Sequence, residues 1–190
     1  LYLTSELTPL WLSTEGFLEE QNIAPPFWAF AWPGAEALAR HVTLHPELVA
    51  GKRVLDFAAG CGLAAIACAR AGAASVAASE IDRLACAAIG MNAAANGVAV
   101  EILAEDVTEC DCRWDVVLAG DVFYEAPMTG KVWPWLRDCA RTVSVIVGDP
   151  ARAYAPKEGI LEIGRYEVPT LLELEDTESR VVRVLRVLEG

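Results

Sequence analysis

The apolar positions of this 190-residue chain change period along its length. Residues 34–44 (GAEALARHVTL) carry Ala35, Leu38 and Val42 on one side, the spacing of an amphipathic helix. From residue 53 onward, short continuous apolar runs alternate with helical segments. Runs at 53–58, 74–79, 98–103, 114–120 and 142–148 read as strands. Residues 63–71, 82–96 and 129–141 read as helices, the last interrupted near Pro134. Asp82 is a plausible N-cap and Gly97 a stop for the second of these. Two more strands, 166–172 and 180–188, flank a polar turn at 173–179. Strands that are apolar throughout and alternate with helices predict a mostly parallel sheet covered on both faces. The last two strands have no helix between them, which permits an antiparallel pair. The expectation is a Rossmann-like α/β fold with seven strands. Residues 1–33, broken by Pro9, Pro25, Pro26 and Pro33, are expected to form an N-terminal irregular or helical extension. Residues 34–190 form the main domain.

Composition narrows the function classes. Hydrophobic residues make up 54% and the net charge is −12. A nucleic-acid binder presents a basic face, and none is visible, so DNA and RNA are disfavoured. The alternatives for the acidity are solubility and the steering of a cationic protein segment. No apolar run is long enough for a membrane span, and the N-terminal stretch lacks a signal-peptide layout. A cytoplasmic monomer is expected. The six cysteines, Cys61, Cys68, Cys86, Cys110, Cys112 and Cys139, contain no CxxC pair, and both histidines lie far from most of them. No metal is expected, and free thiols suit a reducing compartment.

The candidate chemistry clusters at predicted strand ends. Residues 54–62 (VLDFAAGCG) leave a strand and open a helix, the setting a cofactor loop requires. Asp56, Ala58, Gly60 and Gly62 are its candidate cofactor residues, with Ala58 where a first glycine would stand. A plain tight turn is the alternative. Glu80 ends the second strand, where an acid accepts hydrogen bonds from ribose hydroxyls. Asp106, after the third strand, stands where such a fold brings an adenine, with a plain loop acid as the alternative. Gly120, Asp121, Phe123, Tyr124 and Glu125 follow the fourth strand, and Asp149 and Arg152 the fifth. Ligands bind outside such carboxyl ends. Arg152 has a surface cation as its alternative. Trp11, Trp28, Trp114, Trp133 and Trp135 read as core or helix-face aromatics, with the pocket wall as the alternative for Trp28.

Four segments carry a resemblance: residues 26–34 (PFWAFAWPG), 54–62, 120–125 (GDVFYE) and 148–152 (GDPAR). Together they resemble the lysine methyltransferases of methyltransferase-like family 16. Within it they are most similar to the branch that modifies the electron transfer flavoprotein β-subunit. Ala58 departs from a glycine, and Glu80 and Glu125 from aspartates. The resemblance implies a class I methyltransferase fold, S-adenosylmethionine as cofactor and a lysine of that flavoprotein subunit as substrate. It implies that the extension over residues 1–33 contributes to the cofactor site and places Trp32 at the cofactor, with an ordinary core aromatic as the alternative. Asp121 and Tyr124 form the group's Asp-x-x-Tyr element. Asp121 is expected to dock and aim the ammonium and Tyr124 to orient the nitrogen. Phe123, Glu125, Asp149 and Arg152 are expected on the substrate side. Alternatives are a nicotinamide-like amine N-methyltransferase, a ribosomal-protein lysine methyltransferase and, outside enzymes, a non-catalytic nucleotide-binding module.

Overall fold

A computed structural model of the chain describes residues 1–4 and 26–189. Trp11 and the rest of the expected extension between residues 5 and 25 lie outside the described residues. Seven strands form one sheet: β1 (Arg53–Phe57), β2 (Ser75–Ser79), β3 (Glu101–Leu103), β4 (Val116–Gly120), β5 (Ser144–Asp149), β6 (Ile160–Pro169) and β7 (Ser179–Val187). Their order is β3-β2-β1-β4-β5-β7-β6. Strands β1 to β5 pair in parallel, while β7 runs antiparallel to both β5 and β6. The chain leaves β1 toward one edge, then returns to lay β4 on its other side. That reversal opens a crevice beyond the carboxyl ends of β1 and β4.

The continuous apolar runs are explained by burial on both faces. Val54, Val116, Leu118, Ile146 and Val184 point to one core. Leu55, Val117, Ala119, Val145 and Leu185 point to the other. The first core is closed by α1 (Pro33–Leu44), α2 (Leu63–Arg70) and α3 (Arg83–Ala95). Alanines dominate α2 and α3, so these helices lie close to the strands with little side-chain bulk between. The second core is closed by α4 (Ala126–Cys139), whose Val132, Trp135, Leu136 and Cys139 are buried.

Three expectations need correction. The helix at 129–141 is not interrupted: α4 runs through Pro134. Pro134 and Gly130, whose carbonyl loses its partner, are both exposed, so water can satisfy that oxygen. Strand β6 begins at Ile160 rather than 166 and ends at Pro169. It is a sheet edge with mostly half-exposed or exposed residues, which hides a strand signal. The polar turn after it holds a one-turn helix, α5 (Leu172–Glu175). The Asp82 cap is present, its carboxylate accepting from the Leu84 N–H. Among the described residues no helix is long and apolar enough to cross a membrane.

Candidate functional site

A cleft of about 680 Å³ lies at the carboxyl ends of β1, β2 and β4. Its floor on the β1 side is the loop predicted from the glycines. Ala58, Gly60 and Gly62 there adopt φ of +52°, +53° and +79°. An L-residue such as Ala58 pays about 1–2 kcal/mol for that conformation, so the loop geometry is imposed by its surroundings. Asp56 sits beneath the loop and accepts the Ala65 N–H of α2 at 2.8 Å. Burial drives its pKa up to about 7, the hydrogen bond opposes this, and Glu80 adds to the rise. Ala58 and Gly60 line the cleft; Asp56 and Gly62 do not. Asp56 instead ties β1 to the first turn of α2, and Gly62 is that helix's left-handed N-cap.

Glu80, at the end of β2, faces the cleft. Its Oε2 accepts the Gly60 N–H at 3.0 Å, and its Oε1 accepts the N–H groups of Ile81 and Asp82 at 2.8 and 3.2 Å. A carboxylate offers about four lone-pair positions, so capacity for a ligand remains. Asp106 accepts from the Thr108 N–H and hydroxyl at 2.9 and 2.6 Å and pairs with Lys131 of α4. Burial raises its pKa, but the bonds from Lys131 and Thr108 outweigh this and bring it to about 2.

The β4 and β5 side is assembled by close approach of α1. A Cβ on Gly148 would stand 2.3 Å from the Gly34 carbonyl oxygen, and one on Gly120 would stand 2.7 Å from the Ala35 nitrogen. Only glycines let the start of α1 lie against these strand ends. Asp121 follows β4 at φ +58°. Its Oδ2 accepts the Gly34 N–H. Its Oδ1 accepts Arg152 Nε and Nη2 at 2.9 and 2.6 Å. Arg152 also donates to both oxygens of Glu175 in α5, at 3.1 and 2.6 Å. Arg180 Nε closes on Glu175 at 2.5 Å. Burial lifts the Asp121 pKa to about 6 against the pull of Arg152.

Aromatic rings form the mouth. Trp32 precedes α1, donates its indole N–H to the Phe27 carbonyl at 2.7 Å and lies 5.9 Å from the Arg152 guanidinium. The Phe27 ring is 5.7 Å from that of Trp32 and 6.1 Å from that of Tyr124. Tyr124 is 45% exposed. Burial of the phenol, then Glu125 and Glu80, raise its pKa, so it stays protonated at neutral pH.

With this geometry in view, comparison with known proteins places the chain. Residues 42–122 match the family model described as ribosomal protein L11 methyltransferase (PrmA). A curated relative from Danio rerio, named electron transfer flavoprotein beta subunit lysine methyltransferase, is 41% identical over 170 residues, covering 83% of this chain and 66% of that protein. A Caenorhabditis elegans homologue of the same name is 30% identical over 170 residues, covering 80% and 68%. The chain belongs to the electron transfer flavoprotein beta subunit lysine methyltransferase family. It spans about half to two thirds of the length of the curated relatives it matches. Among solved structures, the ribosomal protein L11 methylase of Lactobacillus delbrueckii subsp. bulgaricus aligns with TM-score 0.59 at 18% identity, covering 85% of this chain and 81% of that one. The magnesium protoporphyrin IX methyltransferase of Synechocystis PCC 6803, solved with bound SAM, aligns with TM-score 0.58 at 21% identity, covering 80% and 77%. These likenesses show the class I methyltransferase fold.

Within this family fold, Trp32, Ala58, Gly60, Glu80, Asp106, Gly120, Asp121, Tyr124, Glu125 and Arg152 share one cleft. Phe123 and Asp149, expected on the substrate side, do not line it. Phe123 is 1% exposed and packs edge-on against Trp133 in the second core. Asp149 is 1% exposed, accepts the N–H groups of Ala151 and Arg152 at 3.1 Å each, and pairs with Arg183 at 2.9 Å. It builds the turn that carries Arg152. The carboxylate of Asp121, expected to meet an ammonium, is occupied by Arg152 and Gly34. Arg152 itself is partly buried and doubly paired, not a surface cation. Sequence reasoning missed Glu175, 4% exposed. Its alternation with leucines in residues 171–175 (LLELE) was the available signal that the segment is not a free turn. It also missed Lys131 and Phe27, whose places depend on contacts across the cleft.

Proposed function

We propose that this chain is an S-adenosylmethionine-dependent protein-lysine N-methyltransferase whose substrate is the electron transfer flavoprotein β-subunit. The observation that carries this reading is the family membership combined with a cleft at the β1/β4 reversal, bearing an acid at the end of β2. The residues fit the cofactor. Ala58 and Gly60 present backbone in a left-handed turn, Glu80 retains acceptor capacity for ribose hydroxyls, and Asp106 and Gly120 border the remaining wall. Trp32 and Phe27 cover the opening. On this reading residues 26–32 serve the cofactor site. When bound, the cofactor supplies a methyl group on a positively charged sulfur.

The chain's own residues bind and orient the amine. A lysine nitrogen must be neutral to attack, and its ordinary pKa is about 10.4. The aromatic mouth removes water from it, which favours the neutral form. The protonated phenol of Tyr124 hydrogen-bonds and aims it. Asp121 acts from behind, fixing Arg152 and the start of α1. The net charge of −12 favours a lysine-bearing protein loop over a polyanion. Six free thiols suit the cytoplasm.

The L11 match over residues 42–122 favours a second reading, a ribosomal-protein lysine. One assay separates them. Equal amounts of flavoprotein β-subunit, ribosomal protein L11 and nicotinamide are incubated with tritiated cofactor, and label is expected on the flavoprotein subunit. Label on L11 with none on the flavoprotein rejects the named substrate. Label on nicotinamide alone rejects a protein substrate.

A further inference from the structure

We infer that Glu125, and not Asp121, is the carboxylate that receives the ammonium of the target lysine at the mouth of the cleft. This rests on the lysine-methyltransferase reading above and names the group that makes the site select a cationic side chain.

Seven charged side chains line the cleft: Glu80, Asp82, Asp106, Asp121, Glu125, Lys131 and Arg152. Six are already engaged. Glu80 accepts three backbone N–H groups. Asp82 caps α3 through the Leu84 N–H. Asp106 and Lys131 hold one another. Arg152 is shared between Asp121 and Glu175. A lysine ammonium reaching Asp121 would therefore displace or crowd a guanidinium, and like charges in a partly buried site repel strongly.

Glu125 differs in each respect. Among the described residues its carboxylate has no hydrogen-bond or ion-pair partner, although it lines the same cleft. It occupies the N-cap position of α4, a helix of 14 residues, yet makes no side-chain cap bond. Its side chain is thus free for another donor. It is exposed, so a protein loop can reach it without unfolding the site. It follows Tyr124 directly, and its charge is felt by that phenol. The Tyr124 and Phe27 rings, 6.1 Å apart, supply an apolar flank for the methylene stem of a lysine. Glu125 then meets the charged head. The ammonium docks on Glu125 as a cation and passes to Tyr124 as an amine once it has lost its proton to solvent.

The test uses the full chain, the flavoprotein β-subunit and tritiated S-adenosylmethionine. Glu125→Gln is expected to raise KM for the flavoprotein by about tenfold or more, the scale of a lost hydrogen bond to a charged group. Its kcat, its cofactor affinity by calorimetry and its thermal midpoint stay near wild type, since the Glu125 carboxylate makes no bond among the described residues. Glu125→Lys raises KM further, and Glu125→Asp restores part of the loss. The KM of Glu125→Gln also responds less to added salt than that of wild type. Asp121→Asn lowers kcat and the thermal midpoint with little change in KM. Glu189→Gln removes the same charge from the opposite end of the strands, beside Asp115 and Ser144, and leaves KM unchanged. An unchanged KM in Glu125→Gln beside a raised KM in Asp121→Asn overturns the assignment, as does an equal rise in Glu189→Gln. Failure of the wild-type chain to label any protein lysine overturns the parent reading instead.

Discussion

Beyond β1 and β2, acids are held by backbone N–H groups close by in the fold. Glu80 takes those of Gly60, Ile81 and Asp82, Asp56 that of Ala65, and Asp82 that of Leu84. Beyond β4 and β5, acids are held by arginines. Asp121 and Glu175 share Arg152, Glu175 adds Arg180, and Asp149 takes Arg183. The first arrangement pairs none of these acids with a cation among the described residues, and it leaves Glu80 with acceptor capacity toward the cleft. The second cancels its charges internally and provides stiffness. The comparison teaches that a carboxylate at a strand end is a ligand group or a strut according to what already occupies it.

The largest effect that bears on this contrast concerns Arg152. Arg152→Met strands Asp121 and leaves Glu175 with Arg180 alone. Breaking one partner of a buried ion pair costs about 3–5 kcal/mol, to be measured as loss of unfolding free energy in urea. The triple variant Arg152→Met, Asp121→Asn, Glu175→Gln is expected to recover part of that loss. A single Arg152→Met variant as stable as wild type would break the description of this side as ion-paired.

The β1 side has its own signature in pH. The Asp56 pKa is raised from the ordinary carboxylate range to about 7 in the folded chain. A raised folded pKa contributes stability that is complete below the unfolded value, near 4. That contribution is lost as pH rises through about 7. The loss is on the order of 3 to 4 kcal/mol for such a shift. Asp121, raised to about 6, adds a change of the same sign over a narrower window. Asp56→Asn keeps the acceptor for Ala65 and removes the charge, so unfolding free energy should vary less between pH 5 and 7 than in wild type. An identical pH slope in both proteins would refute this.

Next in size is Glu80→Ala, expected to weaken S-adenosylmethionine binding by about 1–3 kcal/mol if ribose hydroxyls lose their acceptor. Calorimetry on a folded variant checks it, and unchanged affinity removes Glu80 from the cofactor site. The smallest effect is at Ala58. Ala58→Gly relieves about 1–2 kcal/mol of left-handed strain. It also frees the unfolded chain, at a cost of about 0.4–1 kcal/mol. A net gain of about 0 to 1.6 kcal/mol is expected in thermal or urea unfolding, and a clear loss would show that the alanine methyl packs against something essential.

The succession of strands and helices and the glycine loop were legible because their signals are local. Val54 to Phe57 is apolar on both faces apart from Asp56, and Gly60 and Gly62 follow within a few residues. Glu80 stands at the end of a short apolar strand, and the groups that hold it lie on its own loop or on the adjacent glycine turn. Strand β6 was read short because an edge strand lacks a buried face. Pro134 was read as a break because its position on the solvent side of α4 depends on how the helix docks.

The sequence by itself determined the parallel α/β layout, the turn at Ala58–Gly62 and the acid that follows β2. Periodicity, glycine placement and short-range hydrogen bonding need no knowledge of distant neighbours. Only the tertiary structure decided that Phe123 and Asp149 turn inward, that Arg152 is a partly buried link, and that Asp121 is filled while the Glu125 carboxylate has no partner among the described residues. Those outcomes depend on partners separated by tens of residues: Asp121 and Arg152 lie 31 positions apart, Arg152 and Glu175 23, and Gly34 and Asp121 87. Whether a carboxylate meets a guanidinium, a backbone N–H or open solvent is set by which strand ends the fold brings together.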